Sequence, residues 1–367
     1  MPTSSSLAHA ANRLAAVRAA MRKHSVDGLV LTHLPSIRYL FGFSGSMAMA
    51  IIGKKKVLFV TNDLYEVQVR NEVYALDGLS IAVSRDFWGA VASSGIVRTM
   101  TSIGFEPGRT TVQSFKTLKK ALAPAKVVEV PSLTEPITRV KTPSEIKSIA
   151  KAATIVSQAY ERMLGVVQPG DTEADVANYL ATVTRELGSE KDAFDIIVVG
   201  GKRSAMPHGR ASTSKLKKGD VVTVDFGACV DGLYSDMTRT FCLGHASKKI
   251  TEVFAVLYDA HLAALDAARA GVNAAELDAA ARNIIAAAGY GENFKHSLGH
   301  GLGYEVHENP RVSFVNTKET IPANCVITIE PGIYLPGEFG MRIEDDVVVT
   351  DKGPSILTTA PRELVVV

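Results

Sequence analysis

The sequence predicts two α/β domains in series, and three observations predict it. Short apolar runs alternate with helical patterns over the first third of the chain; a capped long helix begins near residue 142; and the remainder contains two similar helix-then-strand stretches about 101 residues apart. With 367 residues, 46% of them hydrophobic, each domain can bury a core of its own.

The first domain is expected over residues 1–135. "NRLAAVRAAMRKH" reads as a helix, and "DGLVLTH", "KKKVLFVTN", "GLSIAVS" and "TSIGFE" read as strands. "VQSFKTLKKALA" is a further helix and "KVVEV" a closing strand, a succession that implies a three-layer α/β domain. The run Lys54-Lys55-Lys56 is expected at a solvated hairpin tip. "GFSGS", Gly42–Ser46, resembles a serine-hydrolase G-x-S-x-G elbow, but Ser46 stands where the last glycine is needed, so the match fails.

The second domain is expected over residues 136–367. Its first helix has a legible start: Thr142 as N-cap, Pro143 at the first helical position and Glu145 closing a capping box. Further on, "PGDTEADVANYLATVTRELG" and "AGVNAAELDAAARNIIAAAG" share a polar N-cap (Thr172, Asn273), an acid three residues later (Asp175, Glu276) and a glycine stop (Gly188, Gly289). A true repeat means two α-β halves related by a pseudo-two-fold, with a site that draws ligands from both. Alanine-rich helices also look alike by composition alone, and the structure decides between the two.

Bulk properties narrow the function. Forty Lys and Arg against 38 Asp and Glu leave a formal +2, which gives no nucleic-acid or membrane footprint. Cys229, Cys242 and Cys325 are odd in number and lack C-x-x-C spacing, so they read as buried reduced thiols and point to a cytoplasmic protein. The start has no uninterrupted apolar core, and no window reaches ~18 charge-free apolar residues, so neither an export signal nor a spanning helix is expected.

The chemistry is carried by acids inside apolar strands. In "GDVVTVDFGACVDGLYSDMTRTF", Asp231-Gly232 signals a two-residue hairpin turn. Pairing Val230 with Leu233 sets Gly227 opposite Asp236, so Asp225 and Asp236 become diagonal neighbours on one face, ~7–8 Å apart at Cα. Downstream, "NCVITIEPGIYLPGEFGMRIEDDVVVT" places Glu330 at the end of one strand and Glu344 on the next, with Arg342 on the same face as Glu344. Buried carboxylates are costly unless paired or bound to metal. Each acid could meet its own arginine, lysine or backbone donor, whereas a single divalent-metal cluster accounts for all four together. Four carboxylates and an imidazole suit Mn²⁺, Co²⁺, Fe²⁺ or Zn²⁺. Two such ions balance four negative charges, which makes hydrolysis of an amide or ester the leading chemistry.

"HSLGHGLGYEVHENP" supplies the imidazoles. Gly299, Gly301 and Gly303 argue against a helix through His296 and His300, so an H-E-x-x-H geometry is not available, and the glycines instead let backbone pass close to a site. Together with "VDFGACVDGLYSDMTRTF", "ITIEPGIY" and "RIEDDVVVT", this motif resembles, in order and spacing, the metal-site motifs of the Xaa-Pro peptidases. These are prolidase and aminopeptidase P, which share the pita-bread fold with methionine aminopeptidase and creatinase.

The resemblance spans essentially the whole chain and implies a creatinase-like N-terminal domain followed by a pita-bread catalytic domain with pseudo-two-fold symmetry. It implies Asp225, Asp236, His300, Glu330 and Glu344 as ligands of two divalent ions, with Asp236 and Glu344 bridging. It gives His296 and His307 to substrate binding and stabilisation of the tetrahedral intermediate, makes His208 a further substrate-facing histidine, and sets Arg342 in support of Glu344. It also implies a homodimer. Glu330 is the carboxylate best placed to take a proton from water and pass it to the leaving nitrogen. Phe226, Tyr234 and Tyr304 are candidates for a proline pocket or for core.

The expected function is dinuclear metal-dependent cleavage of Xaa-Pro bonds at the N-terminus of di- or oligopeptides, with manganese or cobalt as the leading ions and zinc or iron as alternatives. Aminopeptidase P action on longer peptides is the nearest alternative; a creatinase-like hydrolase or a binding protein on the same fold is the next. No nucleic-acid or membrane partner is expected.

Overall fold

The computed structural model describes residues 4–367; residues 1–3, at the head of the expected 1–135 domain, lie outside the described residues. The chain forms two compact units, Met1–Thr138 and Arg139–Val367.

In the first unit a mixed six-stranded sheet runs in the order Leu79–Val83, Val57–Thr61, Ala48–Gly53, Gly28–Leu31, Ser102–Phe105, Lys126–Glu129. The three strands Gly28–Leu31, Ala48–Gly53 and Val57–Thr61 are buried at every residue, as strands covered on both faces must be. All the strands and helices expected from the sequence are present. One strand, Ala48–Gly53, was not expected, because "AMAIIG" opens on small residues and methionine rather than β-branched ones. It pairs with Val57–Thr61 in a hairpin whose tip carries the exposed Lys54, Lys55 and Lys56.

The second unit opens with helix Pro143–Leu164, started by the expected Thr142/Glu145 capping box with proline in the first turn. The repeat is structural. Helices Glu173–Glu186 and Ala274–Ala287 have the same length, begin 101 residues apart, are capped by Thr172 and Asn273, and each follows a long helix, Pro143–Leu164 or Lys248–Ala267. Their chain exits also match: Gly188 and Gly289 both take positive φ, 101° and 86°, the left-handed conformation that glycine adopts without penalty.

Each helix pair covers its own sheet and encloses its own apolar core. In the first half Ile197–Gly200, Val221–Phe226, Met237–Cys242 and Val365–Val366 form a four-stranded sheet. In the second half Glu308–Val312, Gly299–Gly301, Val326–Ile329, Asp345–Thr350 and Gly353–Ile356 form a five-stranded one. The three cysteines are free and buried. Among the described residues, no helix is long and apolar enough to cross a membrane.

Candidate metal centre

The first two acids come from one hairpin. Asp231 and Gly232 both have positive φ, 54° and 75°, as a tight two-residue turn matched to strand twist requires. Val230 pairs with Leu233, and beyond the short break the same register continues, Phe226 with Met237 and Asp225 with Thr238. Asp225 and Asp236 are therefore diagonal neighbours on one face, as the turn implied. Ser148 donates to Asp231 Oδ2 at 2.7 Å and ties the turn to the first helix.

Glu330 and Glu344, like Asp236, stand outside regular strands. Glu330 follows strand Val326–Ile329, and Glu344 lies between Phe339–Arg342 and Asp345–Thr350, two strands of different sheets. The expectation that Glu344 sits within a strand is corrected: the chain leaves one sheet at Arg342 and enters another at Asp345, and Glu344 occupies the crossing. Its backbone is nonetheless held, Glu344 N–H donating to Thr238 O at 3.1 Å and Arg239 Nη1 donating to Glu344 O at 2.5 Å.

His300 sits in the short strand Gly299–Gly301, not in a helix. A Cβ at Gly299 would run into Thr328 O and one at Gly301 into Asn309 O, so the glycines permit the close strand approach expected of them. His300 Nδ1 donates to Gly301 O at 3.1 Å, which leaves the Nε2 lone pair aimed at the acids, 3.4 Å from Glu330 Oε1 and 3.7 Å from Asp236 Oδ2.

Ligand-capable atoms gather in three overlapping groups, each within 4.8 Å: Asp225, Asp236 and Glu344; His300, Glu330 and Glu344; Asp236, His300 and His307. Glu344 and Asp236 are the acids shared between an all-carboxylate group and a group containing His300. Asp225 Oδ1 and Asp236 Oδ1 are buried with no hydrogen-bond partner. Burial and mutual repulsion push Asp236 and Glu330 well above the usual carboxylate range and Glu344 to about 8. Four carboxylates with one guanidinium among them, two of them with unpartnered buried oxygens, form a donor set that fits divalent cations.

That guanidinium is Arg342, and its partners differ from those expected. Its Nη2 donates to Asp225 Oδ2 at 2.6 Å, and its Nε donates to Thr238 Oγ1 at 2.9 Å. Thr238 in turn donates to Glu344 Oε2 at 2.6 Å. Arg342 therefore supports Asp225 directly and reaches Glu344 only through a threonine hydroxyl. Its Nη1 donates to the Tyr334 hydroxyl at 2.7 Å, and that hydroxyl donates to His296 Nε2 at 3.0 Å, because His296 Nδ1 already donates to Ser297 O. Burial and Arg342 hold His296 neutral, its pKa lowered to about 4. Burial and His307 lower that of His300 to about 3.

His307 is exposed and packs edge-on against His300, with ring centroids 4.3 Å apart. His208 lies exposed in the loop after Gly201–Ala205, and burial lowers the pKa of His307. Of the aromatics weighed for a proline pocket, Phe226 is fully buried in the core of the first half, and the Tyr304 hydroxyl donates to Glu145 at 2.9 Å. Tyr234 is half-buried under Lys191.

Sequence reasoning missed Tyr334, Thr238 and Asp346, whose carboxylate accepts the Asp236 N–H at 3.1 Å. Tyr334 had a signal: Pro336-Gly337 closes the hairpin of Gly332–Leu335 with Phe339–Arg342, and Gly332 pairs with Arg342, which puts Tyr334 diagonal to the arginine.

Comparison with known proteins matches both parts of the chain to described families. The profile of Metallopeptidase family M24 matches residues 147–351, and that of the Creatinase/Prolidase N-terminal domain matches residues 13–139. A Xaa-Pro dipeptidase of Pyrococcus horikoshii is 36% identical over 355 residues, 94% of this chain and 96% of its own length. The solved structure of a Xaa-Pro dipeptidase from Bacillus anthracis superposes with a TM-score of 0.93 at 36% identity, over 98% of this chain and 100% of that one. An X-Pro aminopeptidase from Thermotoga maritima gives 0.89 at 35% identity, over 96% and 99%.

Proposed function

This chain belongs to metallopeptidase family M24, and on that premise we propose that it hydrolyses the Xaa-Pro bond of dipeptides, with two divalent ions held by Asp225, Asp236, His300, Glu330 and Glu344. One observation supports the ligand set: Asp225, Asp236 and Glu344 form one group of ligand-capable atoms, His300, Glu330 and Glu344 form a second that shares Glu344 with it, and Asp236 joins His300 and His307 in a third. Manganese or cobalt suits these donors, with zinc or iron as alternatives. When bound, such ions supply Lewis acidity for a peptide carbonyl and lower the pKa of a water.

The rest of the work falls to the chain. Glu330, at the end of strand Val326–Ile329 with its Oε1 3.4 Å from His300 Nε2, takes the proton of the attacking water and passes it to the proline nitrogen as that nitrogen leaves. Arg342 fixes Asp225 and, through Thr238, the Glu344 carboxylate, so both acids meet the reaction without rearrangement. The exposed His307 and His208 face the substrate, and His296, kept neutral, lines the site beside Tyr334. Three buried free thiols support a cytoplasmic setting. A homodimer follows from family resemblance.

The likeness to an X-Pro aminopeptidase keeps a second reading in view, cleavage of Xaa-Pro-Yaa peptides. Chelator-stripped protein re-metallated with Mn²⁺, Co²⁺ or Zn²⁺ and offered Ala-Pro, Ala-Pro-Ala and Met-Ala-Ser separates them. Turnover of Ala-Pro supports the proposal, turnover of Ala-Pro-Ala alone favours the aminopeptidase, and turnover of Met-Ala-Ser alone rejects both. No turnover with any ion points to a binding protein or a creatinase-like hydrolase.

A further inference from the structure

The segment from Phe294 to Leu298 is irregular, yet its backbone is fixed from one side by two residues of helix Ala274–Ala287 that none of the chemistry above uses. Arg282 donates Nε to Asp278 Oδ2 at 2.6 Å and Nη2 to Asp278 Oδ1 at 3.0 Å. Its outward N–H groups reach Phe294 O at 3.0 Å and His296 O at 2.8 Å. Asp278, fully buried, also accepts the Leu298 N–H at 2.9 Å. Alternate residues 294, 296 and 298 thus hang on one ion pair, and Leu298 O accepts the Glu330 N–H at 2.8 Å.

Only an arginine meets these demands. The guanidinium offers two N–H groups to the acid and others to two carbonyls in one plane, while Phe294 and Phe314 pack against it at 4.1 and 4.7 Å. The Phe294 ring then meets the His296 ring edge-on at 5.1 Å.

We propose that Asp278 and Arg282 are positioning residues for His296: they touch no reactant and set the imidazole through its own backbone carbonyl and through Phe294. The inference rests on the reading of His296 as a residue of the substrate site, and a double-mutant cycle separates the two. Arg282→Ala, His296→Ala and the double variant are compared with wild type for kcat/KM on Ala-Pro, with bound metal counted and thermal midpoints recorded. Displacing a site group by about an ångström costs up to about a hundredfold, so Arg282→Ala is expected to lose roughly tenfold to a hundredfold with its full metal content. In the His296→Ala background the same change is expected to cost less than about twofold, since coupled residues are non-additive.

Equal losses in both backgrounds overturn the proposal, as does an Arg282→Ala enzyme that keeps wild-type kcat/KM. If His296→Ala alone keeps wild-type kcat/KM, the reading of His296 fails and takes the proposal with it. Should Arg282→Ala not fold, Arg282→Lys, which keeps the charge but lacks the planar fork that reaches Phe294 O and His296 O, takes its place in the same cycle with the same expected outcomes.

Discussion

The two halves of the C-terminal unit share a helical frame but deliver their functional side chains by different means. In the first half Asp225 lies in strand Val221–Phe226 and Asp236 in the short break before Met237–Cys242, both within one hairpin that keeps a single register. In the second half Glu330 and Glu344 stand at a strand end and a sheet crossing, and His300 on a three-residue strand between glycines. Each half also holds a loop on a buried acid of its second helix. Glu173 accepts from Gly200 N, Arg203 Nε, and Ser212 N and Oγ, closing the base of the loop that bears His208. Asp278 holds the His296 segment instead. The lesson is that the repeat preserves the frame while the chemistry comes from what is grafted onto each copy, paired acids and one loop histidine in the first, three histidines with acids in the second.

The most severe break of this comparison removes an acid shared by the overlapping groups. Asp236→Asn or Glu344→Gln should reduce Ala-Pro turnover to background and lower the bound metal from two ions to one or none. Asp225→Asn, outside the shared pair, should retain one ion. Metal counting after dialysis checks both.

A second break cuts the tie between the unit's opening residues and the histidine segment. Lys141 and Glu308, both buried, form an ion pair at 2.7 Å next to His307. Lys141→Met leaves Glu308 buried without its cation and should cost about 3–5 kcal/mol in denaturant melts, the usual penalty for removing one partner of a buried pair.

Metal removal sharpens the comparison through pH. Glu344 is raised from 4.5 in the ordinary state to about 8 in the folded, metal-free one, chiefly by burial and then by Asp225. The folded chain therefore binds more protons than the unfolded chain between those values, so stability falls as pH rises through that window. Metal-free protein should melt at a lower temperature at pH 8 than at pH 5. The difference should shrink in Glu344→Gln.

The smallest effect is expected in the first half. Arg203→Ala loosens the loop of the exposed His208 but leaves Glu173 with its two backbone donors and the Ser212 hydroxyl. A loss of a few-fold in kcat/KM is expected, below that of Arg282→Ala; a larger loss would reverse the ranking of the two loops.

What was legible in the sequence follows the same divide. The face shared by Asp225 and Asp236, the Thr142/Glu145 capping box and the 101-residue repeat depend on local chemistry, namely turn residues, caps and periodicity, and all could be read along the chain. Glu344 and the partners of Arg342 could not. Thr238 and Arg342 are 104 residues apart in sequence, and their contact depends on how the two halves pack. Tyr334 was within reach of hairpin logic, whereas the Asp278 and Arg282 clamp required knowing where the 294–298 backbone runs.

The central claim is that both halves contribute ligands to one two-ion centre. It is tested most directly by titrating Mn²⁺ into chelator-stripped protein while counting bound ions and following Ala-Pro hydrolysis in the same samples. The account predicts two ions per chain, with Asp225→Asn in the first half and Glu330→Gln in the second each reducing that number. Full occupancy by two ions in both variants, or full activity with none bound, would contradict it.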